Sequence, residues 1–220
     1  MKGDILEQGA IIQRDGATYA IAPHSAGGFI DIPTFKRLVA VAGKYNATAL
    51  KLTSGQRIAI IGLREEDLPA IWRDLEMSIG YAIGLCVRMV KFCPGTTYCR
   101  HGKQDAVKVG LELDRRYHGY PLPAKFKIGV AGCEYGCAAP CVKEIGLKGT
   151  PEGWTVTAGG SAGAKPRFGD LLAEGLSDDD AIALVGRIIE VAARSDRPKV
   201  RLGRLIDQMG LDAFKQALGL

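Results

Sequence analysis

Six cysteines, all between Cys86 and Cys141, carry the densest chemical information in the chain. Cys93 and Cys99 are separated by five residues, and Cys133 and Cys137 by three. Four thiolates in two short-range pairs can hold a metal centre. Zinc sites favour pairs roughly two to four residues apart, so the wide first pair fits them poorly. A [4Fe-4S] cube is larger and takes four soft thiolates. The intervening Pro94-Gly95-Thr96-Thr97-Tyr98 could wrap one of its corners and bring backbone N–H groups toward the sulfides. Spacing alone leaves three readings open: an iron–sulfur cube, a zinc site, or buried and redox cysteines. Cys141 extends the three-residue spacing and could substitute for a neighbour. Cys86 stands in an apolar context and reads as core.

The basic residues are the second chemical feature. Arg88, Lys91, Lys125 and Lys127 flank the cysteine segments. Lys125 and Lys127 are two apart and share a face if the segment is a strand. That face is either a solvated edge or a cationic cavity for an oxyanion. Arg57, Arg100, Lys165 and Arg167 sit beside turn or Gly-rich segments and could grip the carboxylates of a large anionic cofactor. The histidines His24, His101 and His118 show no metal-ligand spacing, and no Ser/His/Asp order is recognisable. Gly159-Gly160-x-x-Gly163 is not a phosphate loop, and no G-x-G-x-x-G dinucleotide fingerprint is present. Trp154 and Phe126 read as core or cofactor-packing residues.

The elements that must position these groups follow an α/β pattern. Strand-like stretches are expected at Ala10–Gln13, Thr18–Ala22, Ala49–Leu52 and Arg57–Ile61. Helices are expected at Thr34–Ala42, capped by Asp31 with Pro33 at its start, and at Glu66–Glu76 behind an acidic first turn. Further on, Cys86–Val90 reads as extended, Cys93–Cys99 as a loop, Asp105–Tyr117 as a helix and Phe126–Val130 as a strand. Gly132, Gly136 and Pro140 argue for a tight loop rather than a helix through Cys133–Cys141. Trp154–Ala158 is followed by a helix capped by Ser177 and running to about Ala193, with Asp178, Asp179 and Asp180 in its first turn. A last helix is expected over Arg204–Leu218.

The composition is that of an ordinary globular protein: 220 residues, 47% hydrophobic, 24% charged and a net charge of +5. Six clustered cysteines do not make a disulfide scaffold, and no apolar run reaches membrane-spanning length. The N-terminal MKGDILEQGA carries acids where a signal peptide needs an apolar segment, so the expected location is cytoplasmic. With no basic stripe or aromatic platform, no nucleic-acid partner is expected.

The motifs together resemble those of the siroheme/[4Fe-4S] sulfite and nitrite reductase family, in a small single-half form. The resemblance rests on Thr53-Ser54-Gly55-Gln56-Arg57, Cys93-Pro94-Gly95-Thr96-Thr97-Tyr98-Cys99, Ala124-Lys125-Phe126-Lys127 and Gly132-Cys133-x-x-x-Cys137. Gly159-Gly160 and Arg204–Gly210 add to it, and it covers nearly the whole chain. It implies an α+β fold: a ferredoxin-like α/β half-module over 1–80, then a siroheme and [4Fe-4S] binding domain over 81–220. Larger relatives contain two such halves, which makes a homodimer a natural assembly for this chain.

The resemblance also implies roles. Cys93, Cys99, Cys133 and Cys137 match the cluster ligands, and Cys137 matches the thiolate shared with the siroheme iron. Arg88, Lys125 and Lys127 match the basic residues that bind the oxyanion and deliver protons. Arg57, Arg100, Lys165 and Arg167 would contact siroheme carboxylates. The implied activity is six-electron reduction of sulfite to sulfide or nitrite to ammonia. Electrons would come from a ferredoxin-like or other low-potential donor. An accessory electron-transfer protein of the same superfamily, or a reductase of another biosynthetic substrate, are the competing readings. One departure stands out: many relatives have Thr-x-Arg-Gln where this chain has Gly55, its arginine being displaced to Arg57.

Overall fold

The computed structural model describes residues 2–220. Among them the chain divides into two units, one ending at Gly84 and one spanning Leu85–Leu220, each built on its own sheet.

The first unit contains β1 (Ile11–Ile12), β2 (Tyr19–Ile21), α1 (Ile32–Lys44), β3 (Ala49–Leu52), β4 (Ile58–Leu63) and α2 (Leu68–Leu75). The strands run antiparallel in the order β1-β2-β4-β3. Helix α1 begins where the sequence places its cap: the Asp31 carboxylate accepts the Thr34 N–H at 2.7 Å, with Pro33 in the first turn. Such a cap contributes about 1 kcal/mol. Leu38 and Val41 of α1 and Leu68, Ile71 and Leu75 of α2 meet Tyr19, Ile21, Ile60 and Leu63 of the sheet in one core. The helix expected from Glu66 starts later. A 3-10 turn occupies Glu65–Asp67 and the α-helix opens at Leu68. Pro69 has no N–H to return to Glu65, so it is tolerated only in a first turn.

The second unit contains β5 (Val87–Phe92), α3 (Gly95–Tyr98), α4 (Ala106–Tyr117), β6 (Phe126–Ala131), β7 (Ile145–Thr150), β8 (Gly153–Ala158), β9 (Asp170–Leu176), α5 (Asp178–Ala193), α6 (Leu202–Met209) and α7 (Leu211–Ala217). The sheet keeps chain order, β5-β6-β7-β8-β9. The first three strands are parallel and the last two antiparallel. Helix α4 carries the crossover from β5 to β6. Between β6 and β7 the crossover is the cysteine segment itself, about the dozen residues that a parallel connection needs.

Strand alternation sorts the sheet into two faces. Val90, Phe92, Ile128, Val130, Ile145, Leu147, Trp154 and Val156 are buried on the face covered by α4 and α5. Trp154 is thereby a core residue, its Nε1 donating to Asp178 Oδ1 at 2.8 Å, and Phe126 is buried too. The other face carries Lys91, Lys127, Gly129, Glu144 and Gly146.

Four features depart from the sequence expectations. The Cys93–Cys99 loop contains one helical turn, α3, entered through Gly95 at φ 51. Strands β7 and β9 were not expected: Gly146 and Gly149 dilute one, and Asp170–Leu176 has a helix-like composition that sheet packing overrides. The terminal helix is two, broken at Gly210, whose φ 88 and ψ 145 no helix accommodates.

Candidate functional site

The strand ends that carry Cys93 and Cys133 come together because backbone meets backbone. Cys93 follows β5 and Cys133 follows β6, and these strands are parallel neighbours. The Cys93 N–H bonds Val130 O at 3.1 Å, and the Gly132 carbonyl accepts from Lys103 N at 2.7 Å and Gln104 N at 3.0 Å. The Gly132 N–H donates to Cys93 Sγ at 3.1 Å, tying the first pair to the second. A Cβ on Gly132 would lie 2.7 Å from Gln104 O and 2.8 Å from Gly95 Cα. Only glycine permits this approach.

The crossover then lies flat on the sheet for the same reason. A Cβ on Gly146 would stand 2.3 Å from Pro140 O, and one on Gly129 would stand 3.2 Å from Ala138 O. The expected tight loop is present, with a short 3-10 turn at Pro140–Val142. Cys93 and Cys133 are buried, Cys99 partly so, and Cys137 and Cys141 exposed; all six cysteines are free thiols. Cys86 is a core residue at 6% exposure.

These residues fit an iron–sulfur cube. Among the described residues no three His, Cys, Asp or Glu side chains converge as a single ion requires. A cube instead offers each thiolate its own corner iron, so its four ligands need not converge on a single point.

Beside the crossover lies a cationic face. Lys127 is half-buried, and its amine is lowered below the usual lysine range, first by burial and then by repulsion from Arg201, Lys125 and Arg88, with Glu144 opposing. Arg88 and Lys125 are therefore both within electrostatic reach of Lys127. The sequence reading missed Lys143, Glu144 and Arg201. Glu144 is fully buried; its Oε1 accepts from Arg201 Nε at 2.6 Å and from Arg201 Nη2. Its Oε2 has no hydrogen-bond partner among the described residues. Burial pushes the Glu144 carboxyl up, against the pull of Arg201 and Lys127.

A cavity of about 610 Å³ opens next to this face, lined by Lys125, Lys165, Lys199, Arg201 and Arg204 with the Gly159-Gly160 rim. Its cations suit a macrocycle rich in carboxylates. Lys165 and Arg167 both line this cavity, but Arg167 is taken up internally. Its guanidinium pairs with Asp170 at 2.6 Å and Asp207 at 2.8 Å and donates to Gly159 O, so it shapes the rim. Arg100 is not part of this group. The α3 turn carries it to a separate cavity of about 420 Å³ with His101, Lys103, Cys133 and Tyr135.

In the first unit, Thr53-Ser54-Gly55-Gln56-Arg57 forms the β3–β4 turn. Thr53 Oγ1 donates to Arg57 O at 2.9 Å and accepts from Arg57 N at 3.2 Å. Arg57 is 6% exposed and lines a cavity of about 390 Å³ with Ser25, Gly28, Phe35 and Gln56.

Comparison with known proteins agrees with this geometry. Residues 83–220 match the nitrite and sulphite reductase 4Fe-4S domain, and residues 11–78 match the nitrite/sulfite reductase ferredoxin-like half domain. The chain belongs to the nitrite and sulphite reductase family. It is a siroheme- and [4Fe-4S]-dependent oxidoreductase. An assimilatory-type sulfite reductase of Nitratidesulfovibrio vulgaris is 38% identical over 211 residues, 96% of this chain and 97% of that one. A nitrite reductase (NAD(P)H) of Bacillus subtilis is 34% identical over 209 residues, 95% of this chain but 26% of that protein. The chain thus spans about a quarter of that nitrite reductase's length. Among solved structures, dissimilatory sulfite reductase I superposes with a TM-score of 0.82 at 14% identity, over 92% of this chain and 69% of that one. The NirA protein of Mycobacterium tuberculosis gives 0.80 at 22% identity, over 91% and 39%. At those identities the likeness is one of fold. Among the described residues, no helix of this family member is long and apolar enough to cross a membrane.

Proposed function

We propose that the protein catalyses the six-electron reduction of a small oxyanion, sulfite to sulfide or nitrite to ammonia, with electrons from a separate low-potential carrier. The observation that carries this reading is the cationic set in which Arg88 and Lys125 act on the half-buried Lys127, on the strand that leads into the crossover carrying Cys133 and Cys137. When bound, siroheme coupled to the cube supplies single electrons and an iron that holds the oxyanion.

The chain's own residues supply the rest. Cys93, Cys99, Cys133 and Cys137 hold the cube. Cys137, the exposed member of the set, would hold the cube and also serve the siroheme. Lys165, Lys199, Arg201 and Arg204 bind macrocycle carboxylates, with Arg167 positioning the rim. Arg88, Lys125 and Lys127 bind the oxyanion by charge-assisted hydrogen bonds. These bonds strengthen as negative charge develops on departing oxygens, so their main effect lies in the transition state. The lowered amine of Lys127 gives up its proton more readily than an ordinary lysine, as proton delivery requires.

The test is turnover by protein loaded with both cofactors, driven by a chemically reduced viologen, with sulfite and nitrite compared. Release of sulfide or ammonia supports the reading. A fully loaded protein that consumes neither oxyanion would leave it an accessory electron-transfer protein.

A further inference from the structure

Lys143 is a charge that the reductase reading has not used. It ends the cysteine crossover and is only 9% exposed. Its stem passes over the sheet at Gly129, where a Cβ would stand 2.9 Å from Lys143 Cγ. Lys91 is the register partner of Gly129 on β5. Lys127 lies two residues before Gly129 on the same face of β6. Three lysines thus surround one bare glycine. Lys143 is held below the usual lysine range first by burial and then by repulsion from Lys91 and Lys127.

Among the described residues none of these three amines makes an ion pair, and the adjacent carboxylate, Glu144, is engaged by Arg201. Burying like charges without a counter-ion is strongly unfavourable. Stability alone would select an apolar residue at 143. The arrangement makes sense when an anion completes it.

We infer that Lys143, with Lys91 behind it and Lys127 beside it, forms an oxyanion cradle over Gly129. This rests on the reductase reading and extends it, adding two amines to the basic set. The ligand chemistry is an oxyanion in contact with the Lys143 amine. It comes from one of two sources, the substrate or a carboxylate of the tetrapyrrole.

The experiment compares wild type, Lys143→Met and Lys143→Arg as full chains loaded with both cofactors. Siroheme per chain is measured, then sulfite affinity from the visible spectrum. A charge-assisted contact predicts a roughly ten- to hundredfold weaker sulfite dissociation constant in Lys143→Met at unchanged siroheme content if the anion is substrate. It predicts lost siroheme with unchanged sulfite affinity in the loaded fraction if the anion is the macrocycle carboxylate. Lys143→Arg should keep either property within a few-fold of wild type, as roughly expected for a retained charge.

In anion-free buffer Lys143→Met should unfold no earlier than wild type, because it removes a desolvated like charge. Wild-type siroheme content together with wild-type sulfite affinity in Lys143→Met would overturn the inference. So would earlier unfolding with both properties unchanged, which marks a purely structural lysine. Wild-type protein that takes up no siroheme would refute the reductase reading separately. The cradle would then be judged by a sulfite-dependent rise in unfolding temperature that Lys143→Met must abolish.

Discussion

Replacing Gly132 by alanine should separate the two cysteine pairs. The added methyl would meet Gln104 O at 2.7 Å, Gly95 Cα at 2.8 Å and the Ala106 methyl at 3.5 Å. Two of these contacts are backbone, so no rotamer change relieves them. Overpacking of this kind costs about 1–3 kcal/mol. Any outward shift of Gly132 also stretches its N–H from Cys93 Sγ, now 3.1 Å away. An ordinary intramolecular hydrogen bond contributes about 0.5–1.5 kcal/mol. The combined loss is about 1.5–4.5 kcal/mol, enough to unfold a substantial fraction of a marginal domain. The assay is denaturant unfolding together with iron and acid-labile sulfide per chain. Gly43→Ala is the control: it lies in α1 with nothing within 4 Å of its added methyl and should stabilise by about 0.4–1 kcal/mol. Gly132→Ala with a wild-type midpoint and a full cluster would refute the reasoning that close backbone approach holds the pairs together.

Cys137→Ser should lose cube and siroheme together, measured by iron, sulfide and the visible spectrum, whereas Cys86→Ser should keep both; loss on Cys141→Ser with retention on Cys137→Ser would shift the ligand register by one spacing. Lys127→Met should lower turnover roughly ten- to a thousandfold at unchanged cofactor content, the range for proton-transfer and oxyanion-stabilising groups. Lys127 and Lys143 are lowered in the fold from the value of 10.5 that they regain on unfolding. Between the folded and unfolded values the unfolded chain binds more protons, so their destabilising effect, fully present below the folded values, is relieved as pH rises. Unfolding midpoints taken as pH rises toward 10.5 should show this relief, and the Lys127→Met/Lys143→Met double variant should lose that component.

What the sequence disclosed was local. Cys93/Cys99 and Cys133/Cys137 announce themselves because their spacings are fixed by a few bonds of chain. The Asp31 and Ser177 caps are equally local, each closing on an N–H three residues on. What stayed hidden depends on register. Glu144 and Arg201 are 57 residues apart in sequence, and nothing in either neighbourhood announces the pairing. Lys143 meets Lys91 and Lys127 only because β5, β6 and β7 are neighbours in that order. A faint signal was present: Gly129 and Gly146 interrupt otherwise apolar runs, and glycine within a strand marks a close approach by other backbone. Arg100 was grouped with Lys165 and Arg167 on residue type, and the α3 turn carries it elsewhere. Strand β9 escaped because leucine, alanine and glutamate favour a helix until neighbouring strands decide otherwise.

The account stands on the cofactors these residues hold. The most direct measurement is iron, acid-labile sulfide and siroheme per chain in protein prepared without oxygen, with iron, sulfide and siroheme supplied. It should give about four cluster irons, about four sulfides and about one siroheme with its own iron. Stoichiometric zinc with no acid-labile sulfide and no siroheme in such a preparation would contradict it.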